Sequence, residues 1–438
     1  MIGGGTVGGG VWQALQRNGD LMAARLGVGF EVARVAVRDP RRARAVDIPK
    51  DRVTADWRAV VEDPAIQVVV ELMGGTTTAR EVVRAALALG KPVVTANKAL
   101  LSAHGPELFA LAAKHRTNLY YEAAVAGGIP IIKALRESFA GNRLLRIAGI
   151  VNGTCNYILT RMKLEGADFA DVLADAQRLG YAEAEPSLDV DGHDAAHKTG
   201  ILASLAHGFW VKPDEVHTEG IRSVSKLDIQ FAAQLGYTIR LLGIVQPVES
   251  ARKPKGRTTR AAQRIQVSVY PALVPNSHVL ASVNHAFNAV AVRGDVVGDT
   301  LFYGRGAGQD PTASSVLADL ADAAMDLKSG VHQRVPPFVA HDGSTRVAPI
   351  DDIVSRFYVR LDVSDRPGVF ARIATILAQA KIGISSIIQP EGHSGDSVPV
   401  ILMLDEATNL AASKAIARIA RLPVVRSAPV VLRVENLD

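Results

Sequence analysis

A single cysteine, Cys155, stands in 438 residues. No disulfide can close within the chain, and no second thiol is present to begin a zinc site, so Cys155 reads as a packing residue. No apolar run approaches the roughly 18 residues that a membrane-spanning helix needs, and the start lacks the basic segment and apolar core of a secretory leader. The sequence therefore reads as a cytoplasmic protein without membrane contact. Neither sign of charge dominates: 49 Lys and Arg against 44 Asp and Glu leave +5. The basic residues are scattered except over residues 252–264, a stretch with no interleaved aromatics on which bases could stack. It reads as a solvated loop, and nucleic acid is not an expected partner. What is there is a hydrophobic fraction of 48% and a charged fraction of 21%, enough apolar matter to bury a core in each of two to four domains.

Residues 1–121 alternate short β-branched runs at 31–37, 68–72, 92–95 and 118–122 with Ala-rich amphipathic stretches. This is the rhythm of a Rossmann-type parallel sheet with crossover helices. Residues 122–303 change to a mixed α+β pattern, with helices at 169–179 and 195–207 and strands at 239–245, 265–270 and 290–292. A Gly- and Pro-containing loop at 304–311 leads into an Ala-rich helix, 312–327, which completes the first domain through residue 330. A linker with Pro336, Pro337 and Pro349 spans 331–353. Residues 354–438 then read β-α-β-β-α-β, a compact ferredoxin-like order.

Gly3, Gly5 and Gly8 fit the G-x-G-x-x-G pattern, in which small residues let helix N-terminal N–H groups approach a pyrophosphate. That pattern follows a strand, yet only Met1 and Ile2 precede it, where about five residues are usual. Either the chain's start lies upstream of Met1 or the central strand is cut short. The second strand ends at Arg38 and Asp39, where dinucleotide folds choose between a 2′-phosphate and ribose hydroxyls: Arg38 points to NADP, Asp39 to NAD. Residues 71–75 and 95–98 follow the C-terminal ends of parallel strands, where open α/β sheets bind ligands. Lys98 there either faces the cleft or merely caps the next helix.

The most informative stretch is residues 181–198, in which Glu183, Glu185, Asp189, Asp191 and Asp194 precede a helix carrying Lys198. Asp194 and Lys198 lie four apart, on one helical face. An ordinary surface ion pair has the same spacing and contributes only about 0.3–0.5 kcal/mol. The carboxylates lack the spacing of a calcium loop, and His193 and His197 do not form H-E-x-x-H.

Three stretches in this order, 122–132, 149–158 and the acidic segment ending at Lys198, resemble homoserine dehydrogenases, as does the loop 304–313. Residues 357–389, with Asp365-Arg-Pro-Gly-Val369, resemble an ACT domain, an amino-acid-sensing fold. The resemblance implies NAD(P)-dependent interconversion of aspartate 4-semialdehyde and homoserine, in threonine, methionine and isoleucine biosynthesis. It assigns proton transfer to Lys198, homoserine binding to Glu183 and Asp194, a further polar-site acid to Asp189, and a place between nicotinamide and substrate to Lys98. Cofactor contacts fall at Gly3, Gly5, Thr6, Val7, Gly8, Arg38, Gly304, Gly306 and Gly308. Glu122, Val125, Gly127 and Ile129 match a structural monovalent-cation site, for sodium. A homodimer or homotetramer, inhibited by an amino acid such as threonine at the ACT domain, completes the expectation.

Overall fold

A computed structural model describes residues 1–248, 263–390 and 397–437. The basic stretch 252–264 lies outside them except for its last two residues. The chain divides into two compact units that interleave along the sequence. Unit 1 comprises Met1–Gly153, Ala195–Val216 and Phe287–Thr345; unit 2 comprises Thr154–Asp194, His217–Ala286 and Arg346–Asp438.

In unit 1 the strands Val69–Glu71, Val93–Thr95 and Leu119–Tyr120 run parallel in that order. Val69, Val93 and Val94 are wholly buried, as unbroken β-branched runs covered on both faces should be. Ile2 bridges Glu71 on one side and Ala36 on the other, and Val35–Ala36 pairs with Val53–Thr54. The strand expected over 31–37 thus shortens to two residues. A strand extends only where its N–H and C=O groups find a ladder partner, and Ile2 meets Ala36 as an isolated bridge. The Met1 ammonium donates to the Arg34 carbonyl at 2.8 Å, and burial pushes its pKa down to about 5. Beyond it a crevice of about 540 Å³ runs between residues 30–34 and 65–70.

Helix Thr6–Leu26 packs against helix Gln309–Lys328. Val11, Trp12 and Leu15 meet Val316, Leu320 and Ala323 in one core cluster, each large side chain contributing about 1.5–3 kcal/mol on burial. The Gln309 side-chain amide donates to Gln13 at 2.9 Å. The Ala-rich helix therefore does return to the first segment. Residues 331–345 are pinned along unit 1: Tyr121 donates to the Pro337 carbonyl and Asn118 to that of Val335. An antiparallel trio, Gly298–Arg305, Phe287–Gly294 and Leu144–Ile150, completes the unit.

Unit 2 is organised around two twelve-residue antiparallel strands, Tyr237–Val248 and Arg264–Pro275. The free edge of Arg264–Pro275 is covered piecemeal by three short parallel segments. Arg346–Val347 pairs at 264–265, His217–Thr218 at 268–269 and the strand Val430–Val434 at 272–273. That last strand belongs to a six-element group: Val354–Ser364, helix Val369–Gln379, Ile384–Ile388, Ser397–Thr408, helix Asn409–Ala420 and Val430–Val434. Its antiparallel strands lie in the order fourth, first, third, second. Ile373, Leu377, Ile416 and Ile419 of the helices pack on Val359, Leu361 and Leu402 of the sheet. Among the described residues no helix is long and apolar enough to cross a membrane.

Candidate active site

A cavity of about 960 Å³ opens at the start of helix Thr6–Leu26, lined by Gly3, Gly5, Thr6 and Arg38 together with the loop 72–78. Gly3 holds φ +111, and a Cβ there would lie 2.5 Å from the Leu72 carbonyl oxygen; one on Gly8 would lie 2.2 Å from the Gly3 carbonyl oxygen. The turn closes only without side chains. Gly5 caps the helix with no side-chain hydrogen bond, and nothing stands within 4 Å of where its Cβ would be. Uncapped N–H groups beside an open cavity are the chemistry a pyrophosphate requires, so these residues fit a dinucleotide. Val7 and Gly8 lie in the helix behind that lining.

Arg42, Arg44 and Trp57 also line the cavity, and the motif reading did not single them out. The Arg44 guanidinium wraps its own loop, donating to the carbonyls of Asp39 at 2.7 Å and Arg42 at 3.1 Å. The Asp39 carboxylate accepts from the Arg41 N–H at 2.9 Å, an Asx turn. Arg38, exposed at the rim, is not drawn into that turn.

The C-terminal ends of the parallel strands carry a second network. Glu71, fully buried, accepts from Thr95 Oγ1 at 2.6 Å and from the Met73 and Gly74 N–H groups; burial raises its pKa, against those hydrogen bonds. Thr95 Oγ1 in turn accepts from Asn97 N, and the Asn97 side chain donates to the Gly75 carbonyl while capping helix Lys98–Lys114 through Leu100 N. Glu71 and Asn97 therefore fix both the loop 73–75 and the first residue of that helix, Lys98, which is half-buried.

The loop 304–308 leads from strand Gly298–Arg305 into helix Gln309–Lys328. It lies against residues 126–128, with Gly128 N donating to the Arg305 carbonyl at 3.1 Å. Gly304, Gly306, Gly308 and Lys98 lie outside the lining of the 960 Å³ cavity.

Of the acidic segment, Asp194 and Lys198 fall one turn apart on helix His193–His207, 6% and 8% exposed. Lys198 Nζ donates to the Val151 carbonyl at 2.8 Å. Asp189 sits in the short helix Ser187–Val190, where its carbonyl accepts from Cys155 Sγ at 3.2 Å. Glu183 is exposed, and its carbonyl accepts from Gln177.

The Glu122 carboxylate accepts from the Ile132 and Lys133 N–H groups at 2.9 and 2.7 Å. The Gly127 carbonyl accepts from Ser315 at 2.6 Å and that of Ile129 from Ile131 N at 2.8 Å. Burial pushes the Glu122 carboxyl up to about 7 against those two amides. The neighbouring Asp319, whose Oδ2 accepts from Glu122 N, is likewise raised, first by burial and then by Glu122. No cluster of three or more His, Cys, Asp or Glu suited to a metal occurs among the described residues.

Comparison with known proteins gives the family. Residues 3–122 match the family model for the homoserine dehydrogenase NAD-binding domain, and residues 130–321 that for homoserine dehydrogenase itself. The chain is 44% identical to the homoserine dehydrogenase of Pseudomonas aeruginosa over 99% of its length and 98% of the relative's. With that of Corynebacterium glutamicum it shares 42%, over 100% and 95%. A solved homoserine dehydrogenase from Thiobacillus denitrificans superposes with a TM-score of 0.89 at 41% identity, covering 100% of this chain and 97% of that one. A hyperthermophilic archaeal homoserine dehydrogenase, solved in complex with NADPH, gives a TM-score of 0.60 at 26% identity over 74% of this chain and 96% of that one. With a glycine-cradled dinucleotide cavity and relatives matching over nearly its whole length, the chain belongs to the homoserine dehydrogenase family of oxidoreductases.

Proposed function

We propose that the enzyme interconverts L-aspartate 4-semialdehyde and L-homoserine with Lys198 as its proton-transfer group. The observation that carries this is a lysine held 92% out of water, one turn after a buried aspartate, with its Nζ on a main-chain carbonyl. A lysine serving only solubility stays in water, because an ammonium withdrawn from it bears a large desolvation cost. When bound, a nicotinamide dinucleotide supplies or accepts the hydride. The chain's own residues then orient the substrate, exclude water and move one proton. In the reducing direction Lys198 Nζ stabilises the aldehyde oxygen as it gains negative charge and hands it a proton. Glu183 and Asp194 hold the substrate's α-ammonium, with Asp189 as a further acid of the polar site. Lys98, set by the Asn97 cap, meets the substrate carboxylate from the nicotinamide side.

NADP is the preferred cofactor in this reading, through Arg38. Arg38, Asp39 and Arg42 all line the cavity; one Asp39 oxygen is held by the Arg41 N–H of its own turn, while Arg38 and Arg42 bring two cations to the place where a 2′-phosphate would lie. The loop with Gly304, Gly306 and Gly308 would contribute backbone contacts to the dinucleotide. Sodium, held by Glu122 and the carbonyls of Val125, Gly127 and Ile129, has a structural part. Hard oxygen donors suit such an ion, and its charge would offset the burial that raises the Glu122 carboxyl. The C-terminal six-element group acts as an ACT domain. Gly368, at φ +86, starts its first helix after the turn 365–368, where an amino acid such as threonine binds between subunits of a homodimer or homotetramer and lowers activity.

Lys198→Ala tests the central claim. Nicotinamide absorbance followed with L-homoserine and NAD or NADP should show turnover reduced by roughly 10²–10⁴-fold, with dinucleotide binding retained. Turnover near that of the unaltered enzyme would remove Lys198 from the mechanism.

A further inference from the structure

One contact in unit 2 joins the C-terminal strand to the acidic segment, through residues that no part of the mechanism above uses. The segments His217–Thr218 and Val430–Val434 clip onto the same edge of Arg264–Pro275. Between the two clips Arg433, 5% exposed, donates to Glu219 Oε2 at 2.9 Å. Its other arm donates to Asn409 Oδ1 at 2.7 Å, and its guanidinium lies 4.5 Å over the Tyr270 ring. The second Glu219 oxygen meets His217 Nε2 at 2.7 Å.

From Glu219 the chain leaves the sheet and runs along the acidic segment. Glu219 N donates to the Val269 carbonyl at 2.7 Å on the sheet side, and Ile221 N to the Val190 carbonyl at 2.8 Å on the other. The two backbones touch at Gly220, where a Cβ would fall 2.2 Å from the Val190 oxygen. Arg222 then grips Asp191 through Nε at 2.5 Å and NH2 at 3.2 Å, and reaches Ser187 Oγ at 3.0 Å. Residues 219–222 form a strap tied to the sheet at one end and to residues 187–191 at the other. Immediately after, Gly192 turns the chain at φ +87 into helix His193–His207, whose first turn carries Asp194.

We infer that Glu219, clasped by Arg433, is a positioning residue for homoserine binding: the strap it anchors sets where residues 187–192 lie and hence where Asp194 is presented. The inference rests on the reading of Asp194 as a substrate carboxylate. A helix start inherits its placement from the residues that enter it, and a displacement of about 1 Å at a substrate anchor can cost up to about 100-fold. Among the described residues the strap donates hydrogen bonds to Val269, Val190, Asp191 and Ser187, which are not among the residues lining the dinucleotide cavity, so its loss should register in one substrate and not in the other.

Steady-state kinetics of the intact enzyme, with L-homoserine and nucleotide varied separately, test this. Glu219→Gln and Arg433→Ala should raise KM for homoserine about tenfold and leave KM for the nucleotide unchanged. Arg433→Lys, which keeps a cation opposite Glu219, should recover part of the loss. Arg222→Ala cuts the same strap at its exposed end, where folding is not at stake, and should raise homoserine KM about threefold or more; it decides the matter if the Glu219 variant does not fold. An unchanged homoserine KM in Arg222→Ala would overturn the inference. So would equal losses for both substrates with Arg433→Lys no better than Arg433→Ala. Asp194→Asn serves as the control. If it leaves homoserine KM unaltered, the substrate reading itself falls and takes the strap with it. If it raises KM while the strap variants do not, only the strap is refuted.

Discussion

Two glutamates withdrawn from water, one in each unit, titrate in opposite directions. Glu122 in unit 1 is 3% exposed, and its carboxylate accepts from the amide N–H groups of Ile132 and Lys133. The nearby cations are engaged elsewhere, Lys133 with Asp322 and Arg136 with the carbonyls of Val335 and Pro336, and burial lifts the carboxyl to about 7. Glu219 in unit 2 is half-buried, and burial pulls the same way, yet hydrogen bonds from His217 and Arg433 hold its carboxyl down at about 2. Main-chain dipoles soften the cost of a buried carboxylate; a guanidinium in contact removes it. The first carboxyl is held by dipoles, while the second is closed by a cation and serves as a fastening.

The largest effect expected from this contrast is on folding. Glu219→Ala leaves the buried Arg433 guanidinium facing Asn409, at a cost of about 3 kcal/mol in chemical denaturation. A much smaller loss would mean that Arg433 is not dependent on its partner. Next comes pH. The Glu122 carboxyl, raised from 4.5 to about 7, binds its proton more readily in the folded chain than in the unfolded one. The stability it contributes is full below 4.5 and is lost as pH rises to about 7, on the order of 3 kcal/mol. Glu122→Gln should flatten that slope, and sodium should shrink it by favouring the ionised form. A stability profile indifferent to both would erase the difference between the two glutamates. The smallest effect belongs to Ser315→Ala, which releases the Gly127 carbonyl from its hydroxyl donor for about 1 kcal/mol. The melting temperature should fall slightly in potassium and less in sodium.

Much of this molecule was legible in its sequence, because most of its elements are local. The six elements of the C-terminal group follow from periodicity and turn residues, and the structure shows them in the expected order. Asp194 and Lys198 share a helix face because four residues are one turn. Reading from sequence ended a strand at Tyr270; the structure carries it to Pro275, with Pro271 opposite Leu241, because a long antiparallel partner outweighs the ladder donor that Pro271 lacks. Strand 31–37 was over-read: the structure gives it two residues, Val35–Ala36. The pairs that position the site were not legible. Glu71 and Thr95 stand 24 residues apart, Glu219 and Arg433 214 apart, and no periodicity in a single sequence links residues at such separations. The interleaving of the two units is hidden for the same reason.

The piecemeal edge of strand Arg264–Pro275 also sets a timetable for biosynthesis. His217–Thr218 is made before that strand, but Val430–Val434 emerges some 160 residues later, roughly 10–30 s at ordinary ribosomal rates. Throughout that interval part of a twelve-residue strand, rich in buried valine, leucine and isoleucine, waits with its hydrogen-bonding edge open to any other nascent chain. Yield in the cell should therefore depend on chaperone cover while the residues between 275 and 430 are made, and a chain cut short before Val430 would carry a sticky, half-built sheet.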